Sequence, residues 1–191
     1  MIPRAEARRA VNGKTGTAAA PIRIYGDPVL RRRADPVEAI DGELEAVIES
    51  LLASMAQARG LGLAAPQIGC SRQLCAVNLP ALDERRQRPL VLINPVVETL
   101  DGSATQEEGC LSFPQLYAEV ARPQRIGIRG LDRRGKEIEI EAQDMMARVF
   151  LHEADHLNGV LFIDHLSLIK RQLLRKQLKE LSRRAAPGAG D

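Results

Sequence analysis

Two of the three histidines in this 191-residue chain fall in one five-residue segment, His152-Glu153-Ala154-Asp155-His156. On a helix, residues four apart share a face, so both imidazoles can reach one metal ion through ring nitrogens. Glu153 stands beside the first histidine, where a carboxylate can handle the proton of an activated water without itself being a ligand. Two imidazoles do not make a tight site, and a third donor must come from elsewhere. Asp164 and His165 lie two turns downstream. Upstream, Cys110 sits in Glu107-Glu108-Gly109-Cys110-Leu111-Ser112, and a thiolate is an excellent metal ligand. A lone cysteine is more often a small buried hydrophobe. A glycine and two carboxylates just before it are an unusual setting for a core position, yet the residues alone leave both sources open.

A third segment, Gly60-Leu61-Gly62-Leu63-Ala64-Ala65-Pro66-Gln67, is rich in small residues and lets backbone approach a ligand closely. Its closing amide, Gln67, can donate to a developing oxyanion. The segment lacks the lysine and the spacing of a phosphate-binding loop, and by itself it also reads as the tight turn after a helix.

These segments need elements to hold them. Leu44, Val47, Ile48, Leu51, Leu52 and Met55 recur three and four apart, which predicts a helix over about 37–58 closed by Gly60. Strands are expected near 73–79, 90–93, 117–121, 125–131 and 136–141, the last two joined by a turn at Asp132-Arg133-Arg134-Gly135. A second helix, from an N-cap at Asp144 to a stop at Asn158-Gly159, carries the histidines. A third, amphipathic, covers 166–184. A helix, several strands and then helices make an α+β fold rather than an alternating α/β one.

Composition narrows the partners. With 27 basic against 25 acidic residues, the net charge of +2 argues against a dedicated nucleic-acid binder, and no specific DNA contact is expected. No apolar run approaches the roughly 18 residues of a membrane span. Three irregularly spaced cysteines are a poor disulfide framework and fit a reducing compartment. Residues 1–20 read as a flexible basic extension without a secretory signal; an organellar transit peptide is the alternative. Residues 185–191 read as a disordered tail, and 21–184 as one catalytic unit.

The three segments in this order and at these separations resemble the peptide deformylase family, from about Pro21 to Leu181. The resemblance implies antiparallel sheets wrapped around a central metal-binding helix, and a metal-dependent hydrolase that removes the formyl group from N-formylmethionyl peptides. It implies Cys110, His152 and His156 as ligands, Glu153 as acid/base, and Gln67 with the Leu111 N–H as oxyanion donors. Gly62 and Gly109 match positions beside the substrate backbone. Leu61, Met145, Arg148 and Val149 match the methionine pocket, and helix spacing also puts the last three on the face of His152. One divalent ion per chain is implied, Fe²⁺ in the cell, with Zn²⁺, Ni²⁺ or Co²⁺ as substitutes. Bacterial members are cytoplasmic and meet the ribosome, and the basic segment 166–184 is the expected contact. One position departs from the pattern: Leu151 stands where the family usually has Gln. Two other readings compete, a zinc endoprotease and a non-catalytic module whose metal is closed by Cys70 or Cys75 as fourth ligand.

Overall fold

The computed structural model describes residues 18–185. The expected N-terminal extension and C-terminal tail lie outside them, apart from residues 18–20 and 185. In chain order the strands are β1 (Gly62–Ala64), β2 (Leu74–Val77), β3 (Leu90–Asp101), β4 (Ala104–Gly109), β5 (Tyr117–Arg122), β6 (Arg125–Leu131) and β7 (Glu137–Gln143). The helices are α1 (Gly42–Gln57), the single turn α2 (Leu79–Leu82), α3 (Asp144–Leu157), α4 (Leu168–Leu173) and α5 (Arg175–Ala185). An antiparallel sheet has the order β1-β2-β3-β6-β7, and β4 and β5 form a separate antiparallel pair. The α+β expectation holds.

The main sheet is sandwiched between α1 and α3. Strand β2 shows why, because all four of its residues are buried. Leu74 and Ala76 face Leu44, Ile48, Leu51 and Met55 of α1, while Cys75 and Val77 face Ala147, Phe150 and Leu157 of α3. Alternation along a strand thus serves two cores at once. A third core gathers Phe113, Phe162, Leu30, Leu178 and Leu181 behind the β4–β5 pair.

Helix ends follow the sequence with two corrections. Asp41 caps α1 through the Glu43 and Leu44 N–H groups. At the other end it is Arg59, not Gly60, that turns left-handed, with φ 54°. Arg59 donates to the Ala56 carbonyl and Gly60 to Met55, the paired bonds of a Schellman motif. Gly60 is needed for space instead: a Cβ there would lie 2.9 Å from Leu111 Cδ1. Helix α3 begins at Asp144, yet that carboxylate is no cap; it accepts from Gln124 Nε2 at 2.9 Å. Asn158 and Gly159, at φ 72°, stop α3 as expected.

The C-terminal segment is two helices rather than one, broken at Leu174. The expected apolar stripe divides accordingly. Leu166, Leu174, Leu178 and Leu181 pack into the third core, whereas Ile169 and Leu173 are 77% and 79% exposed. A short α4 cannot keep the register of α5 across the break, so its apolar residues turn outward.

Left-handed backbone costs an ordinary residue on the order of 1–2 kcal/mol, of which glycine's extra freedom in the unfolded chain takes back part. Arg59→Gly should therefore stabilise the protein by about 0.5–1 kcal/mol, a rise in Tm of roughly 1–4 °C. Thermal unfolding of the metal-loaded protein checks this; a lower Tm for the variant would contradict the strain assigned to Arg59.

Candidate metal centre

Helix α3 lays His152 and His156 one turn apart, and the turn after β4 brings Cys110 to them. Ligand atoms of the three residues lie within 4.8 Å of one another, and Cys110 Sγ is 3.2 Å from His156 Nε2. Donors around one tetrahedral ion should stand roughly 3.3–3.8 Å apart, given metal–ligand bonds of about 2.0–2.3 Å. The set fits a divalent ion. Burial holds the His156 pKa well below its usual value, so the imidazole keeps a free lone pair. Asp164 and His165, the alternative donors, are engaged elsewhere, Asp164 with Arg31 and His165 with Asp155. Cys75 is buried in β2 and Cys70 packs on the α1 core; neither joins the cluster.

Behind the histidines lies a charge network that the sequence reading did not resolve. Glu108, almost fully buried, takes two hydrogen bonds from Arg122, at 2.9 and 3.0 Å, and one from Arg148 at 2.6 Å. Its Oε2 is also 3.2 Å from His152 Nδ1. Burial alone would raise the Glu108 pKa, but the hydrogen bonds of His152 and Arg122 overcome it and hold the carboxyl far below its ordinary range. An ionised carboxylate can only accept, so His152 Nδ1 carries the hydrogen and Nε2 is left for a metal. Arg122 reaches on to Asp155 at 2.5 Å, and Asp155 to His165 at 2.7 Å. Two carboxylates and two guanidiniums thus balance, all buried except the partly exposed Asp155. Arg148, expected in the methionine pocket, does line the cleft, yet its guanidinium is held by Glu108 and by the Val120 and Ala104 carbonyls. The hint in the sequence was an arginine four residues before His152 with a glutamate two residues before Cys110.

Glu153 is buried with Oε2 lacking any partner. Burial pushes its pKa up to about 7. Gly62 makes room for it: a Cβ there would lie 2.3 Å from Glu153 Oε1. Gln67 is pinned by accepting the Ala64 N–H at 2.8 Å, which turns Nε2 toward Ser112 Oγ and Cys110 Sγ, at 3.2 and 3.5 Å. Gly109 is similarly crowded, by the Tyr117 ring 2.5 Å from where a Cβ would be.

These residues floor a cleft of about 520 Å³, with Leu61, Leu111, Met145 and Val149 along its walls. It lies between β1, an edge of the main sheet, and β4 of the small pair. An extended peptide could run between the two. Leu151 is on the far side of α3, packed against the sheet core. In this chain the position makes no polar contact with the site.

A family model described as polypeptide deformylase matches residues 19–172. The chain is 46% identical to a peptide deformylase of Mesorhizobium japonicum, over 88% of this chain and 96% of that one. To a peptide deformylase of Thermodesulfovibrio yellowstonii it is 44% identical, over 83% and 95%. Among solved structures it is similar to the peptide deformylase of Thermus thermophilus, with a TM-score of 0.80 at 42% identity, covering 88% of this chain and all of that one. The Legionella pneumophila peptide deformylase gives the same score at 39% identity, covering 87% and 96%. With the family match running through every segment that builds the centre, the chain belongs to the polypeptide deformylase family.

Proposed function

We propose that this enzyme hydrolyses the N-formyl group of formylmethionyl peptides and releases formate. The observation that carries the reading is the convergence of three donors, a buried unpartnered carboxylate and an oriented amide at the floor of one cleft. The catalytic unit is assigned to 21–184 and the activity to the cytoplasm. Among the described residues no helix is long and apolar enough to cross a membrane.

The family is metal-dependent, and Cys110, His152 and His156 would hold one divalent ion. When bound, that ion supplies Lewis acidity and makes water a better nucleophile near neutral pH. Fe²⁺ is the proposed cellular metal on the family resemblance; zinc, nickel and cobalt also suit a thiolate with two imidazoles. Glu153 takes the proton of the attacking water, since a carboxyl poised near neutrality can both accept and return it. As the C–N bond breaks, Glu153 gives that proton to the leaving amine. Gln67 Nε2 and the Leu111 N–H donate to the carbonyl oxygen as it gains charge. Gly62 and Gly109 admit the peptide backbone, and Leu61, Met145 and Val149 contact the methionine side chain, with Arg148 supporting that wall from behind.

Ribosome contact is proposed for the basic C-terminal helices. Arg175, Lys179 and Arg183 recur four apart on α5 and, with Arg171 of α4, line one groove with Tyr25, an array of cations suited to phosphates.

Formate release from formyl-Met-Ala-Ser tests the activity. Glu153→Gln should retain its metal and lose turnover by roughly two to four orders of magnitude. Gln67→Leu should lower kcat by about 10²–10³. Metal loss in the first variant, or a change confined to KM in the second, would reassign the residue. For the helices, deletion from 170 would strip Leu178 and Leu181 from the third core, so exposed cations are the better target. Replacing Arg175, Lys179 and Arg183 by Gln should weaken co-sedimentation with ribosomes and lower its salt slope by about two to three. Unchanged pelleting at low salt would make these helices only a solvated face.

A further inference from the structure

The cleft carries two charges that the chemistry at its floor does not use. Arg59 enters from the turn after α1 and Glu107 from β4, and both line the cavity. Both are exposed. Among the described residues neither makes an ion pair. Glu107 sits opposite Glu119 across the β4–β5 ladder, and Glu119 is itself held by Lys170 at 3.1 Å. The adjacent strand therefore offers Glu107 no cation.

Arg59 is the less expected of the two. It occupies the left-handed position of a Schellman motif, where glycine would serve the turn better. The turn accounts for nothing in the choice of arginine, whereas a place on the wall of a peptide cleft does.

Distance along the chain gives the register. From Gly62, beside Glu153, the backbone runs back through Leu61 and Gly60 to Arg59, three residues or at most about 10 Å. From Gly109, beside Cys110, Glu107 is two residues out, about 7 Å. A peptide whose formyl end lies at Cys110 and Gln67 also advances by about 3.3 Å per residue. Its second and third side chains therefore pass these two charges.

Resting on the deformylase reading, we infer that Arg59 determines specificity: it favours formylmethionyl peptides with an acidic side chain at the second or third residue, and Glu107 opposes it. Both groups are exposed, so each is worth a modest factor that salt removes.

The test measures kcat/KM for formyl-Met-Asp-Ala and formyl-Met-Ala-Asp against their Lys counterparts, using metal-loaded wild type, Arg59→Asn and Glu107→Gln. Asn tolerates the left-handed backbone and keeps the turn. At low salt, Arg59→Asn should lower the Asp-to-Lys ratio about two- to fivefold at one of the two positions, and Glu107→Gln should raise it. Near 1 M salt, where the screening length is about 3 Å, both changes should vanish. A parallel NMR titration with unformylated Met-Asp-Ala and Met-Lys-Ala, and with Met-Ala-Asp and Met-Ala-Lys, reads the same ratios as Kd, without turnover. Formate release with ratios that ignore Arg59 in both assays would overturn the inference alone. A Kd ratio that follows Arg59 with no formate from any peptide would leave charge selection standing and remove the deformylase reading. If neither formate nor a ratio change appears, both fall.

Discussion

One buried carboxylate ties the site to the fold. Glu108 comes from β4, Arg122 from β5, and Arg148 and His152 from α3, so a single group joins the small sheet to the helix that bears the ligands. Burying such a cluster is costly, because each ion gives up water. Replacing a buried ion network by apolar residues is often neutral or stabilising, whereas removing one member costs about 3–5 kcal/mol by stranding the others. Stability alone therefore does not explain Glu108. Its orientation of His152 does: with Nδ1 bonded to the carboxylate, the ring cannot turn and Nε2 stays directed at Cys110 and His156.

Backbone hydrogen bonds fix the other wall. The Arg23 N–H donates to the Gln67 carbonyl at 2.7 Å, and the Tyr25 N–H to the Ser112 carbonyl at 2.8 Å. One extended segment near the N-terminus thus fastens both the loop of the oxyanion donor and the turn after the thiolate. Tyr25 stacks on Phe113, with ring centroids 4.9 Å apart, and Phe113 meets Phe162 edge-on at 5.0 Å. Three of the five aromatic residues thus sit in the core against which Cys110 packs. Packing of this kind supports the turn that carries Cys110.

Periodicity made the helices legible, since Leu44, Ile48, Leu51 and Met55 face one core and His152 of α3 lines the cleft with His156 buried one turn behind it. Metal chemistry made His152 and His156 candidates, but Cys110 could not be chosen over Asp164 or His165 without the family resemblance. Strand β1 stayed hidden because Gly62-Leu63-Ala64 has no β-rich side chains, and β4 because its residues are polar or small with only Glu108 buried. The network around Glu108 was illegible for a related reason. A buried carboxylate looks like a surface one until its two arginines, 14 and 40 positions away, are placed beside it. The division of the C-terminal segment at Leu174 was equally invisible, because the apolar spacing there is compatible with one continuous helix.

Glu108 should therefore set the direction of His152 before any metal arrives. Long-range ¹H–¹⁵N spectra of imidazole-labelled protein, recorded without metal and then with Zn²⁺, test this orientation. His152 Nδ1 should carry a slowly exchanging hydrogen in both states, and Glu108→Gln should lose that protection in the metal-free protein. If His152 exchanges between tautomers in the metal-free wild type, or if its Nδ1 hydrogen is unaffected in Glu108→Gln, the ligand is not oriented by the carboxylate.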